Sequence, residues 1–263
     1  MNDIISEEQI LRHLGKTNIN YRLHVYDCVS STNDLAKEKF LAEKMVNYVV
    51  VVANTQSAGR GRNGRSFLSP EGGIYASFIF SGDRITHKQN FSLFAPCVAV
   101  CMAMEKLLFI QPQIKWPNDI LLHGKKVCGI LTETQMNADA RTIIVGIGIN
   151  YLVDMEALPQ DFREIASTLS DYTQKISRNE FIAELIKTLD KMCATYTKKQ
   201  YLWEYKNRMT ILGSDILIVT EIEKIYAKAL DVCDDGCLVI EKKDGVTEKI
   251  YAGDVSIRVG NKE

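Results

Sequence analysis

The stretch that decides the fold is Asn54-Thr55-Gln56-Ser57-Ala58-Gly59-Arg60-Gly61-Arg62-Asn63-Gly64-Arg65-Ser66. Its seven positions from Gly59 to Arg65 hold three glycines and three arginines. Glycine lets the backbone come close to a ligand, and arginine presents a permanently charged fork that matches phosphate or carboxylate oxygens. The stretch therefore predicts a clamp for an anion.

Two nucleotide-binding motifs overlap in this stretch, but the residues that follow it fit neither of them. Gly59-x-Gly61-x-x-Gly64 matches the dinucleotide fingerprint, and Gly59-x4-Gly64-Arg65-Ser66 matches a phosphate-binding loop in which arginine replaces lysine. Both motifs need a helix directly after the glycines. Instead, Pro70 and two glycines follow, and then Ile74 to Phe80, which is typical of a strand. On the loop alone, a basic surface loop and a nucleic-acid patch stay open.

The composition narrows these alternatives. The chain has 263 residues, 46% of them hydrophobic and 25% charged, which is enough apolar material for a packed core. Its net charge of -1 weakens the nucleic-acid hypothesis, because binding dominated by phosphate contacts usually needs a broad basic surface. The sequence has no long apolar run, and its first residues are acidic and polar, unlike a signal peptide. We expect a cytoplasmic protein with no membrane or nucleic-acid partner.

The cysteines and histidines do not predict a metal centre. The chain has seven cysteines and four histidines, and no C-x-x-C motif. The pairs Cys97/Cys101 and Cys233/Cys237 are each four positions apart and have no nearby histidine to complete a site. We expect reduced, mostly buried cysteines and no tightly bound metal.

Hydrophobic periodicity predicts the elements around the loop. Strands are expected at Leu23 to Cys28, Tyr48 to Ala53, Ile74 to Phe80 and Thr142 to Asn150, the second of them buried on both faces. Helices are expected at Glu7 to Leu14, Leu35 to Lys44, Asn90 to Phe109 and Asp161 to Ser170, with a long one after Ser177. From Asp215 onward, short alternating strands separated by turns predict a small barrel.

Two segments outside the loop carry candidate site residues. Ser31-x-x-Asp34 fits a capping box, and the same row of small polar side chains is suited to a polar ligand. Lys115 ends a strand before a Pro-Asn-Asp turn, and a hairpin at His123-Gly124 would pair Lys126 roughly with Leu121. On that register, both lysine ammonium groups could reach one pocket.

Three motifs occur in order along the chain. They are Ser31-Thr32-Asn33, then Gln56-x-x-Gly59-Arg60-Gly61-Arg62-x-Gly64-Arg65, then Lys115-Trp116-Pro117-Asn118-Asp119 with Lys126-x-x-Gly129-Ile130-Leu131. With Gly146-Ile147-Gly148-Ile149-Asn150 and the β-rich C-terminal part, they closely resemble the biotin protein ligases. The resemblance implies an α+β fold: a mixed-sheet catalytic domain of the biotin/lipoate ligase type, similar to class II synthetases, at 1–208, and an SH3-like β-barrel at 209–263.

The same resemblance implies an activity. It predicts that biotin and ATP give biotinyl-5'-adenylate and pyrophosphate, and that biotin then passes to a lysine of a biotin carboxyl carrier domain of acetyl-CoA carboxylase. Because the first catalytic strand is predicted near Leu23, we expect no N-terminal DNA-binding domain. Mg²⁺ is expected with ATP, and a homodimer is possible under this resemblance.

Residue roles follow from the resemblance, position by position. The expected catalytic cations are Arg60, Arg62, Lys126 and Lys115. The expected biotin-binding residues are Ser31, Thr32, Asn33, Gln56, Arg60, Gly61, Arg62 and Lys126. The neutral polar side chains among them suit the ureido ring of biotin. The expected ATP or adenylate contacts are Arg62, Arg65, Phe67, Lys115, Asn118 and Asn150, with Asp119 as the Mg²⁺ ligand. Phe67 stands where tryptophan is frequent in the family.

Two alternatives stay open on the sequence. A lipoate or octanoate ligase of the same fold would bind a flexible apolar acid, for which Ser31, Thr32 and Gln56 serve no purpose. A basic-loop nucleic-acid binder would show strongly salt-dependent affinity. In the ligase hypothesis the glycine-arginine loop is disordered when empty and closes over the adenylate.

Overall fold

The structure is a computed structural model that describes residues 3–15, 21–42, 48–81, 91–137, 140–172, 176–220, 223–251 and 253–257. None of the helices in these ranges is long and apolar enough to cross a membrane. The α-helices are α1 Glu7–Leu14, α2 Thr32–Ala42, α3 Phe91–Leu108, α4 Gln160–Ile165, α5 Arg178–Thr195 and α6 Lys198–Asn207.

A seven-stranded mixed sheet forms the larger part of the fold. Its strand order is β1-β2-β3-β7-β6-β5-β4. Only the β1/β2 pair is parallel, and the five other neighbouring pairs are antiparallel. The predicted mixed sheet is therefore confirmed. The strands are β1 Arg22–Val29, β2 Tyr48–Gln56, β3 Ile74–Ser81, β4 Gln113–Lys115, β5 Asp119–Leu122, β6 Lys125–Asn137 and β7 Ala140–Ile149.

Both faces of the sheet are covered, which explains the continuous apolar run of β2. Every residue from Tyr48 to Ala53 is buried. Alternate residues of β2 join a large core that includes α1, α3 and α5, and the intervening Val49 and Val51 pack with Ala36 of α2. A strand with apolar groups on both sides is expected only where both faces are buried.

The structure changes two of the predicted helices. Helix α2 begins at Thr32 rather than Leu35, because Gln56 Oε1 accepts a hydrogen bond from the Thr32 backbone N–H at 2.8 Å. The predicted helix from Asp161 to Ser170 is α4 followed by a separate 3₁₀ turn at Leu169–Asp171. The positions Lys44 and Asn90 lie outside the described residues.

Helix α6 was not predicted, although the sequence carries its start signal. Thr197 and Gln200 form a reciprocal capping box at its N-terminus. Helix α3 contains Pro96 as its sixth residue, in its second turn.

The C-terminal strands form a second sheet, which is five-stranded and antiparallel. It corresponds to the small β domain that the sequence predicts after residue 208. Its order is β11-β10-β9-β8-β12. Alternate residues of β9 are buried and exposed along most of its length, which is the pattern of a sheet with one solvated face. The sequence predicts the last of these strands at Val255 to Val259, and Val259 lies outside the described residues. The strands are β8 Asp215–Val219, β9 Lys224–Val232, β10 Leu238–Lys242, β11 Thr247–Ile250 and β12 Asp254–Ile257.

The small β domain rests on the β4/β5 edge of the large sheet. Trp116 is buried, and its indole Nε1 donates a hydrogen bond to the backbone oxygen of Gly236 at 2.9 Å. The backbone N–H of Ile114 donates to Arg208 O at 2.8 Å, next to the proposed domain boundary at 208/209. The turn after Trp116 is thus held from both domains.

Candidate active site

A cavity opens where the glycine-arginine loop lies over β5, β6 and β7 and the start of α2. One further lining residue, Gly253, comes from the C-terminal β domain, so that domain reaches the site directly. The predicted site residues that line the cavity are Ser31, Thr32, Asn33, Gln56, Arg60, Gly61, Arg62, Arg65, Phe67, Asn118, Asp119 and Lys126.

Lys115 and Asn150 are not among the lining residues that the structure describes. Lys115 ends the edge strand β4, opposite Asp119, whereas Lys126 pairs with Leu121 as the sequence predicted. Asn150 is buried, and its side-chain Nδ2 donates to Ser167 O at 3.1 Å. This hydrogen bond holds the backbone near Ser167, which is a structural role. The nucleotide-binding roles of Lys115 and Asn150 stay predictions.

A hydrogen-bonded row of neutral side chains forms one wall of the cavity. Gln56 Oε1 accepts from both the backbone N–H and the hydroxyl of Thr32, at 2.8 and 3.0 Å. Gln56 Nε2 donates to Ser69 Oγ at 2.8 Å. Buried Ser77 lies 2.7 Å from Thr32 Oγ1 and donates to Asn33 Oδ1 at 2.6 Å. These hydrogen bonds connect the side chains of the wall to one another, and sequence reasoning had missed Ser69 and Ser77.

Glu133 is a second residue that sequence reasoning missed. Its Oε2 accepts from Asn33 Nδ2 at 2.7 Å and from Arg60 NH2 at 3.3 Å, and its Oε1 accepts from Lys37 Nζ at 3.1 Å. Gly129 and Leu131 on the same strand line the cavity, so the two-residue period of a strand could have placed Glu133 on that face. Glu133 therefore orients a wall residue and a clamp arginine together.

The environment of Glu133 favours its charged form. Burial alone would raise its pKa, but hydrogen bonds from Asn33 and Lys37, with the charges of Lys37 and Arg60, outweigh burial and lower the pKa below the usual glutamate value. The carboxylate therefore stays ionised at neutral pH.

The cations of the cavity differ in how far they are already neutralised. Arg60 lies 2.6 Å from Asp34 and 3.3 Å from Glu133. Lys126 Nζ lies 2.6 Å from Asp119 Oδ1. Arg62, in contrast, donates from NH1 to the neutral Asn118 Oδ1 at 3.3 Å.

Within the described ranges, Arg62 has no carboxylate within salt-bridge distance. Of these three cations, Arg62 therefore has the charge most available to an anionic ligand. Arg60, held by two carboxylates, is better suited to keep the loop in place than to supply uncompensated charge.

The glycine-arginine loop is folded back on itself and joins strand to strand. Gly61 N donates to Arg65 O at 2.7 Å, and Phe67 N donates to Gly59 O at 2.8 Å. A single 3₁₀ turn at Arg62–Gly64 is the only helical piece in the loop, and β3 follows at Ile74. The rejection of both helix-borne nucleotide motifs is thus confirmed. Disorder of this loop without ligand stays a prediction.

Two glycines of β7, Gly146 and Gly148, leave space for site residues. A Cβ at Gly148 would lie 2.4 Å from Phe67 Cε1, and a Cβ at Gly146 would lie 2.4 Å from Asn33 Oδ1. Phe67 also receives Lys126 Nζ at 5.8 Å from its ring centroid. The ring thus packs against the sheet and beside the catalytic lysine candidate.

The donor set does not fit a dedicated Mg²⁺ site. Mg²⁺ prefers carboxylate and other oxygen ligands. The Asp119 carboxylate is paired with Lys126, and the Asn118 amide oxygen accepts from Arg62. Asp119 Oδ1 and the Asn118 amide oxygen thus already face cations, and an Mg²⁺ ligand role for Asp119 stays a prediction.

Comparisons with known proteins identify the family. The profile of the Biotin/lipoate A/B protein ligase family matches residues 25–150, and that of the biotin protein ligase C-terminal domain matches residues 211–258. The bifunctional ligase/repressor BirA of Bacillus spizizenii is 35% identical over 261 residues, covering 96% of this chain and 79% of that protein. The chain belongs to the biotin protein ligase family.

Other members agree with this assignment. A biotin–[acetyl-CoA-carboxylase] ligase of Mycobacterium tuberculosis is 26% identical over 246 residues, covering 89% of this chain and 88% of that protein. The biotin protein ligase of Aquifex aeolicus in complex with biotin and ATP superposes with a TM-score of 0.72 at 29% identity, covering 90% of this chain and 98% of that one. The predicted fold class is confirmed.

Replacing Glu133 with glutamine should destabilise this biotin protein ligase in a pH-dependent way. The folded-state pKa is lowered, so the stabilisation is complete above the unfolded pKa of about 4.3 and is lost as the pH falls through the lowered folded value. We expect Glu133→Gln to reduce the free energy of unfolding by about 1 kcal/mol at pH 7, and by less in acid. Urea denaturation at several pH values measures this.

The matched control is Glu156→Gln, which removes an exposed carboxylate paired with Arg163. Exposed pairs contribute little, so its effect should stay within about 0.5 kcal/mol. A Glu133→Gln effect that is constant from pH 7 to acid would contradict the charge-based account.

Replacing Gly148 with alanine should push Phe67 off the sheet and loosen the loop. An overpacking cost of about 1.4 kcal/mol corresponds to roughly tenfold faster trypsin cleavage at the loop arginines. In a Phe67→Leu background the clashing ring atoms are absent, so adding Gly148→Ala should give no further acceleration. Equal acceleration in both backgrounds would assign the effect to another contact.

Proposed function

We propose that this chain is an ATP-dependent biotin protein ligase. It joins biotin to ATP to form biotinyl-5'-adenylate and pyrophosphate, and then transfers biotin to a lysine of a carrier domain of acetyl-CoA carboxylase. The observation that supports this best is the meeting of a neutral polar wall and a cationic loop in one cavity. The relatives named biotin–[acetyl-CoA-carboxylase] ligase, and the biotin and ATP complex of the Aquifex aeolicus enzyme, support the same substrates.

The neutral wall suits the ureido ring of biotin, which has two N–H donors and one carbonyl acceptor. Both donors of Thr32 are directed to Gln56, so the Thr32 hydroxyl oxygen keeps a lone pair for a ureido N–H. Ser31 Oγ accepts from Asp34 N at 3.4 Å, and its own proton has no acceptor among the described residues. That proton is suited to the ureido carbonyl.

The cationic loop addresses the main barrier to the first step. A biotin carboxylate and the α-phosphate must approach as two anions, and at about 4 Å their repulsion is about 4 kcal/mol at an intermediate dielectric. Arg62 and Lys126 both line the cavity, where their charges would offset this repulsion. Lys126 can exchange Asp119 for the biotin carboxylate, since both partners are carboxylates.

The chemistry then needs no protein nucleophile. A biotin carboxylate oxygen forms a bond to the α-phosphorus, and the bond to the β-phosphate oxygen breaks to release pyrophosphate. In the second step, the neutral carrier lysine attacks the mixed-anhydride carbonyl, AMP leaves, and the amine loses one proton. The chain contributes position, charge and exclusion of water.

In this proposal Mg²⁺ binds together with ATP rather than at a dedicated site of the protein. Because Asn118 and Asp119 already face Arg62 and Lys126, we infer that Mg²⁺ arrives on the phosphates of ATP. A cytoplasmic location, a possible homodimer, the 208/209 boundary and the lack of a nucleic-acid partner stay predictions.

The function is tested by exchange of labelled pyrophosphate into ATP. Exchange should depend on biotin, and lipoate should not replace it, because lipoate lacks the ureido group that the Thr32 and Gln56 wall is suited to. Incorporation of biotin into a purified carrier domain follows as the second readout. Exchange with lipoate and none with biotin would refute the proposal.

Lys126→Gln should slow adenylate formation by at least tenfold, because one offsetting charge of roughly 1.4 kcal/mol or more is removed. Lys125→Gln is the matched control, because it removes the same charge from the neighbouring residue. The side chain of Lys125 donates to Arg163 O and does not line the cavity. Single-turnover formation of the adenylate measures both. Lys115→Gln, tested alongside, separates the two assignments: a loss equal to that of Lys126→Gln would return Lys115 to the site.

A further inference from the structure

The turn between β9 and β10 gathers three potential metal ligands outside the cavity. It runs from Cys233 to Cys237 and includes Asp235. The two sulfur atoms and a carboxylate oxygen of Asp235 all lie within 4.8 Å of one another. Cys237 is buried, Cys233 is half-buried and Asp235 is exposed, so the group lies at the surface of the domain.

The backbone of the turn holds these three side chains on the same side. Cys233 N donates to Cys237 O and Gly236 N donates to Cys233 O, both at 2.9 Å. Asp235 Oδ1 accepts from Cys237 N at 3.2 Å, which bends the carboxylate back toward the sulfurs. Gly236 permits this path because its φ is +89°.

We propose that Cys233, Asp235 and Cys237 form a binding site for a thiophilic divalent cation of the Zn²⁺ type. Ligand atoms in a tetrahedral site with such bonds lie roughly 3.3 to 3.8 Å apart, so small rotations of the side chains close the group around an ion. Thiolate ligands select Zn²⁺ over Mg²⁺ or Ca²⁺. The cysteine spacing alone did not predict this site, because no histidine is nearby and the third ligand is the carboxylate of Asp235, between the two cysteines.

Binding of the divalent cation is balanced by the release of two protons. The cation forms bonds to two sulfurs and one carboxylate oxygen, and the two thiols release two protons to solvent. Three protein ligands leave one position for water, so the site is exchangeable rather than a closed four-ligand structural site.

The turn is coupled to the cavity through one hydrogen bond. Gly236 O accepts from Trp116 Nε1 at 2.9 Å, and Trp116 begins the segment that carries Asn118 and Asp119 into the cavity. A bound cation stiffens the turn that holds Trp116. Because it lies outside the cavity, the site is independent of which acid the enzyme activates.

The test is a titration of the reduced, full-length protein with Co²⁺, followed by displacement with Zn²⁺. One equivalent of Co²⁺ should give thiolate charge-transfer absorption and the visible bands of a tetrahedral site. Cys233→Ser should abolish the signal, and Asp235→Asn should weaken binding at least tenfold while its side-chain oxygen still accepts from Cys237 N. Neither change removes a fully buried side chain, so both variants should fold.

The control is Cys28→Ser, which removes an exposed thiol on β1. It should bind Co²⁺ as the parent protein does. The proposal is overturned if the bands are absent, if they survive in Cys233→Ser and Asp235→Asn, or if they are lost in Cys28→Ser. It is also overturned if the reduced protein binds no cation and air oxidation merely joins Cys233 to Cys237.

Trp116 reports the coupling directly. The chain has two tryptophans, and the other, Trp203, is exposed. In a Trp203→Phe background, Zn²⁺ should change the Trp116 emission, and the added Asp235→Asn change should shift this response to at least tenfold higher Zn²⁺. An unchanged emission at saturating Zn²⁺ would overturn the coupling to the cavity.

Discussion

The side chain of Gln56 connects three segments that are far apart in the sequence, and the geometry of the site depends on it. Its carbonyl oxygen caps the first turn of α2 through Thr32 N, and its amide nitrogen donates to Ser69 Oγ after the loop. Its own backbone N–H donates to Ser69 O at 3.1 Å. A cap of this kind contributes about 1 kcal/mol, but here it also closes the two ends of the glycine-arginine loop against the helix.

Glycine is the second requirement, because site residues lie against the sheet itself. Gly146 and Gly148 provide the volume that Asn33 and the Phe67 ring occupy. A close-packed interior transmits a displacement of one side chain to its neighbours. The position of the neutral wall and that of the loop are therefore coupled through the strands below them.

The two clamp arginines, Arg60 and Arg62, differ in how far their charge is neutralised by neighbouring side chains. Arg60 has two carboxylate partners and holds the loop to α2 and β6, whereas Arg62 has a neutral amide partner. Two arginines that look equivalent in the sequence are thus suited to different proposed tasks: Arg60 to positioning the loop, and Arg62 to offering charge to the ligand. The distinction arises from Asp34 and Glu133, which approach from other elements.

The sequence by itself determined the strands, most helices, the strand-to-strand character of the loop and the residue types that meet in the cavity. These follow from local periodicity and from the steric rules for proline and glycine, which act over a few residues. Only the tertiary structure decided that Lys126 rather than Lys115 lines the cavity, that Glu133, Ser69 and Ser77 support it, and that Asp235 lies beside two cysteines. Each of these depends on strand register, turn geometry or the pairing of side chains distant in sequence, and such contacts are set by packing rather than by local pattern.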